Sequence, residues 1–114
     1  MGNTLFPSLN NANSFDEILQ QNDAVLAYFY TRECSVCQVL KPKVAQMIDE
    51  HFPEMESVFC EMNDLPELAA RFSVFTAPTL LVFFAGKEYI RKSRSFSLDE
   101  LKTEIERIYR LMFT

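Results

Sequence analysis

The chain has 114 residues, 48% of them hydrophobic and 24% charged, with a net charge of -5 and a pI near 4.8. That length and balance fit one globular domain with its own hydrophobic core, and exclude a disordered tail, a fibrous repeat and a fold that depends on a disulfide framework. The acidic balance argues against nucleic acid or an anionic membrane as partner, and the one basic cluster, Arg91, Lys92 and Arg94, reads as a solvated strand end.

Residues 1–13 are rich in Asn, and Pro7 interrupts the apolar pair Leu5-Phe6, so this segment forms a short edge strand at most. A single domain is expected over residues 14–114. No basic region precedes an apolar one in the first twenty residues, and no apolar run approaches the roughly 20 residues of a membrane span, so the expected location is the cytoplasm. Met1-Gly2 opens like a myristoylation signal, but Phe6 stands where the signal needs Ser or Thr, and lipidation is not expected.

Ser14-Phe15-Asp16-Glu17 has the form of a capping box and predicts a short helix from Ser14 to about Gln21, ended by Asn22-Asp23. Ala24 to Tyr30 is apolar throughout and lacks two-residue alternation, which is how a strand covered by helices on both faces reads. Cys37, Leu40, Val44, Met47, Ile48 and His51 recur at three- and four-residue spacing and predict a long amphipathic helix from about Ser35 to His51. Pro42 lies inside it and predicts a kink, and His51 closes it as a capping cation. A strand is expected at Glu56–Met62 and a short helix at Leu65–Phe72, with Pro66 at a tolerated first-turn position. Thr79–Phe84 is a further strand, and Ala85-Gly86-Lys87 turns the chain into an antiparallel return at Glu88–Arg91, Gly86 supplying the positive φ. A second capping box, Ser97 to Glu100, opens a C-terminal helix with Leu98, Leu101, Ile105, Ile108 and Met112 on one stripe. This order describes an α/β fold with a central mixed sheet of four to five strands flanked by helices, parallel strands first and a hairpin last.

Three cysteines, an odd number, suit a reducing compartment where thiols serve chemistry or packing. The close pair in Cys34-Ser35-Val36-Cys37 can form a disulfide, hold a metal or pack as structural thiols. With His51 and Cys60 it makes four ligands of the kind zinc takes. His51, however, stands about 20 Å along the helix from Cys37 at 1.5 Å per residue, so no metal is assigned. Cys60, in an apolar strand, reads as a small buried residue. Cys34 falls just beyond a central strand and at a helix N-terminus, where free amides and the dipole lower a thiol pKa from about 8.5. Cys37, one turn further, is expected to be more buried and less acidic, the asymmetry that dithiol exchange needs.

With this motif, Pro42, the Ala77-Pro78 pair before Thr79-Leu80-Leu81-Val82-Phe83-Phe84, and Gly86 in the hairpin, the chain resembles the thioredoxin family over about residues 14–112. The resemblance implies the thioredoxin fold and a thiol-disulfide oxidoreductase that exchanges a Cys34–Cys37 disulfide with disulfides of client proteins. It implies no bound cofactor, the electrons residing on the two sulfurs, and a flavin- and NADPH-dependent thioredoxin reductase upstream. It also implies a cis Ala77-Pro78 bond, and a target-binding groove formed by Ala77, Pro78 and the loop around Arg32 and Glu33. The phenylalanines read mostly as core, and Phe75, two places before Ala77, is a candidate for apolar target surface.

The departures from the family pattern are specific. Glu33 replaces the usual Trp, and no Trp occurs in the chain; Ser35-Val36 replaces Gly-Pro between the cysteines. The family's buried Asp, which helps deprotonate the second cysteine, matches Tyr28, and its buried Lys partner matches Phe59. Glu61, on the same strand face as Phe59, is then the candidate proton relay. Glu33 is expected to raise the pKa of Cys34 and Arg32 to lower it. These departures leave a second reading open, a redox-inactive binding or chaperone-like module that uses the Ala77-Pro78 groove without turnover.

Overall fold

The computed structural model describes residues 12–113. Its elements are α1 (Ala12–Gln21), β1 (Ala24–Tyr30), α2 (Ser35–His51), β2 (Glu56–Glu61), α3 (Pro66–Arg71), β3 (Thr79–Phe84), β4 (Lys87–Ser93) and α4 (Leu98–Met112). The four strands form one mixed sheet in the order β2-β1-β3-β4. The pair β1 and β2 is parallel, while β1 with β3 and β3 with β4 are antiparallel. Apart from Ala12 and Asn13, which open α1, the expected N-terminal segment lies outside the described residues.

The apolar runs of β1 and β3 follow from their central positions. Every residue of both strands is buried, because successive side chains enter different layers. Leu26, Tyr28, Leu80, Val82 and Phe84 pack with Val44 and Ile48 of α2 and with Leu101 and Ile105 of α4. On the other face Val25, Ala27, Phe29, Leu81 and Phe83 pack with Phe15 of α1 and Leu68 and Ala69 of α3. The edge strand β4 is exposed at five of its seven positions, as its polar sequence requires.

Local capping signals set a helix end where no neighbouring residue competes with them. Ser97 is the N-cap of α4, its hydroxyl accepting the Glu100 amide at 3.2 Å. Ser14, by contrast, is the third residue of α1; Ala12, a strong helix former, lets the helix begin before the box. The α2 helix runs through Pro42 because the stripe Cys37, Val44, Met47 and Ile48 is buried on both sides of it. Its C-cap is Phe52, whose amide donates to the Ile48 carbonyl at 2.8 Å, while His51 stays exposed in the last turn, 3.9 Å from the Glu50 carboxylate.

The β3–β4 hairpin has a two-residue loop, with Phe84 opposite Lys87 and both Ala85 (φ 53) and Gly86 (φ 80) in the left-handed region. Two successive positive φ values make a type I′ turn, which favours Asn-Gly. Ala85 meets this geometry with a Cβ that the left-handed region disfavours. Ala85→Asn is therefore expected to stabilise the fold by about 1 kcal/mol. Urea denaturation checks this: the midpoint rises at unchanged slope, and an unchanged or lower midpoint would refute it.

Candidate active site

Antiparallel pairing of β1 with β3 places Phe29 opposite Thr79, so the end of β1 and the start of β3 meet at one edge of the sheet. Cys34, four residues beyond β1, thereby lies beside Pro78, the residue before β3. The Cys34 Sγ is 4.0 Å from the Ala77 carbonyl oxygen, across 43 positions of sequence. The Ala77-Pro78 bond is cis. Ala77 precedes the first sheet pair, and among the described residues its amide and carbonyl take no backbone partner.

Cys34 is the N-cap of α2, with extended backbone (φ -86, ψ 105), and its Sγ accepts the Cys37 amide at 3.2 Å. The sulfur thus occupies the place an Asp or Ser oxygen takes at other helix starts, among amides with no intrahelical partner. The Cα atoms of Cys34 and Cys37 are 5.2 Å apart and the two sulfurs are joined as a disulfide. Cys34 is half-buried and Cys37 fully buried.

The loop carrying Arg32 and Glu33 is tied to the chain that follows β2. Glu61 is buried; one of its oxygens accepts the Arg32 amide and the other the Asn63 amide, both at 2.6 Å. The Arg32 guanidinium makes a bidentate contact with Asp64 (3.1 and 3.3 Å) and lies 3.6 Å from Glu61. Glu33 accepts the Asn63 side-chain amide at 3.0 Å. The carboxylate named above as a candidate relay also clamps two backbone amides.

Beneath Cys37 lies an aromatic cluster. Tyr28 is fully buried and its hydroxyl donates to the Cys37 carbonyl at 3.0 Å. Phe59 meets the Tyr28 ring edge-on at 5.8 Å, and Lys41 places its ammonium 4.3 Å from the Tyr30 centroid and 5.3 Å from that of Phe59. The signal for the Tyr28 contact was present in the sequence: a tyrosine in a strand buried on both faces must find a partner for its hydroxyl. Burial pushes the Tyr28 phenol up to about 12, so it serves as a donor and stays protonated at neutral pH. Cys60 lies in the opposite layer, and burial pushes its thiol to about 12 as well. Among the described residues no group of three or more His, Cys, Asp or Glu side chains is arranged to hold a metal.

Tyr28→Phe removes the donor to Cys37 and is expected to cost about 1 kcal/mol at pH 7. Wild-type stability from this group is fully present below the unfolded value of 10.0 and is lost as pH rises through about 12, because the unfolded tyrosine ionises first. The variant lacks that part of the alkaline loss, so its deficit shrinks between pH 10 and 12 in thermal denaturation. Parallel alkaline profiles for the two proteins would contradict the assignment.

The thioredoxin family model matches residues 6–107 of the chain. The thioredoxin-like protein YdfQ of Bacillus subtilis is 32% identical over 103 residues, covering 90% of this chain and 91% of its own length. Among solved structures, the N21Q mutant thioredoxin of Halobacterium salinarum superposes with a TM-score of 0.80 at 27% identity, covering 92% of this chain and 95% of its own. The thioredoxin of Fasciola hepatica gives 0.81 at 27% identity, covering 90% and 98%. Together with a cysteine pair at disulfide distance on a mixed four-stranded sheet, these similarities make the chain a thiol-disulfide oxidoreductase belonging to the thioredoxin family.

Proposed function

We propose that Cys34 is the attacking and Cys37 the resolving sulfur in the reduction of disulfides in client proteins. In the reduced protein the Cys34 thiolate attacks one sulfur of the client bond. A Cys34–client disulfide forms, and the other client sulfur leaves as a thiolate that takes up a proton. Cys37, deprotonated, then attacks the Cys34 sulfur and expels the second client sulfur, which is protonated in turn. The client gains two electrons and two protons, and the protein is left with the Cys34–Cys37 bond. The observation that carries this assignment is the position of Cys34 Sγ at the open start of α2, accepting the Cys37 amide, with Cys37 buried behind it.

The groove residues are Arg32, Glu33, Ala77 and Pro78, and Ala77 pairs with an extended client segment. Support for this comes from the Ala77 carbonyl 4.0 Å from Cys34 Sγ and from an Ala77 backbone that takes no backbone partner among the described residues. Val36 (58% exposed), Val39 (61%) and Phe75 (75%) offer apolar surface on the flanking segments. Glu61 holds the Arg32–Glu33 loop in place. The electrons rest on the sulfurs, so no cofactor is bound, and a flavin- and NADPH-dependent thioredoxin reductase regenerates the dithiol. The unit that does this is a single domain over residues 14–114, working in the cytoplasm; no helix among the described residues is long and apolar enough to cross a membrane.

A binding module without turnover is the second reading, favoured by a neutral tyrosine in place of an acid beneath Cys37. Cys34→Ser is expected to abolish insulin reduction, and Cys37→Ser to accumulate a mixed disulfide with client, seen as a mass adduct. Partner binding that persists unchanged in Cys34→Ser, without any turnover by the wild type, would establish the module instead. In glutathione buffers, Cys34 and Cys37 should titrate together as one two-electron couple while Cys60 remains a thiol; independent oxidation of the two would sink the assignment.

A further inference from the structure

Two of the three cations in the basic cluster are engaged within the fold. The Arg91 guanidinium donates to the Phe72 and Ser73 carbonyls (2.7 and 3.3 Å) and pairs with Glu88 at 2.8 Å. Lys92 Nζ pairs with Glu104 at 2.7 Å. Arg94 is exposed, and among the described residues its side chain makes no ion pair or hydrogen bond. Its backbone is held at φ 66, a conformation that glycine adopts freely and arginine only at a cost. Its amide donates to the Pro78 carbonyl at 2.8 Å. The strained residue is therefore fixed to the segment whose neighbouring carbonyl, that of Ala77, lies 4.0 Å from Cys34 Sγ. On the other side of the site the Arg32 charge is paired with Asp64, and Glu33 accepts the Asn63 side-chain amide.

We propose that Arg94 determines specificity: it favours client disulfides that carry Asp or Glu beside the cysteine attacked by Cys34. The inference rests on the oxidoreductase reading of the groove and leaves the exchange chemistry as written above. An extended segment paired with Ala77 runs past Pro78, to which Arg94 is tied, and in a chain of net charge -5 a free cation there is the local exception. Such a contact acts chiefly on selection and encounter between partners.

The test uses three peptides, each closed by one disulfide and differing only in the residue next to a cysteine: Glu, Ser or Lys. The second-order rate constant for reduction is measured at low salt with dithiothreitol-reduced protein. Wild type is expected to favour Glu over Ser by about fivefold, the scale of one exposed ion pair, and to discriminate further against Lys. The preference should fade towards one in high salt. In Arg94→Gly, which fits φ 66 and should melt no lower than wild type, the Glu to Ser ratio falls to about one. Arg94→Glu reverses the order and Arg94→Lys keeps it.

A wild-type ratio near one, or a ratio that survives in Arg94→Gly, would overturn the inference while turnover itself stands. Equal slowing of all three peptides in Arg94→Gly would also overturn it, placing the cation's effect on the ionisation of Cys34. Absence of turnover with every peptide in wild type would bring down the oxidoreductase reading itself, and the inference with it.

Discussion

The Cys37 amide directed at Cys34 Sγ from 3.2 Å is the contact on which the site depends. It exists because β1 delivers the chain to the start of α2 with Cys34 still extended, so that the sulfur faces amides that a helix start leaves unpaired. A sulfur held this way gains from negative charge, and the same geometry holds Cys37 one turn away, within bonding reach and out of solvent. The opposite wall comes from β3, whose antiparallel register with β1 sets Ala77 and Pro78 beside the sulfur. The exchange chemistry therefore stands on sheet register as much as on the cysteine spacing.

Below the disulfide this chain departs from the family pattern. Where the family pattern has a buried acid with a buried lysine, the rings of Tyr28 and Phe59 fill the space, and Lys41 of α2 lays its ammonium over Phe59 and the neighbouring Tyr30. An ionised carboxylate at that depth would need desolvation to be compensated, whereas a phenol needs only one acceptor, here the Cys37 carbonyl. The hydroxyl anchors the first turn of α2 to the central strand, and its high pKa keeps it protonated. The group beneath Cys37 is thus a packed phenol, neutral at pH 7, where the family pattern has an acid.

The loop before Cys34 is held by charge where other members of the family place a tryptophan. Glu61 receives amides from both sides, Asp64 takes the Arg32 guanidinium and Asn63 takes Glu33. This arrangement pairs the Arg32 charge with Asp64 and Glu61, and gives Glu33 a neutral amide donor. Arg94, fastened to Pro78 through its amide, carries a cation without an ion pair among the described residues.

Much of the fold was legible in the sequence. The limits of β1, α2 and β3 follow from apolar runs and a helical stripe, and the Ser97 cap from a four-residue signal, all of them interactions between near neighbours in the chain. The cysteine spacing and the proline before β3 pointed to the family by resemblance, which the comparisons then established. The start of α1 differs from the expected Ser14, because a capping box has the same sequence inside a helix as at its N-terminus. Only the tertiary structure decided that Glu61 clamps a loop, that Tyr28 donates to Cys37, and that Arg94 adopts a glycine-like conformation bound to Pro78. Those bonds join residues 29, 9 and 16 positions apart, and which groups meet across such separations is set by strand order and register, which no local pattern encodes.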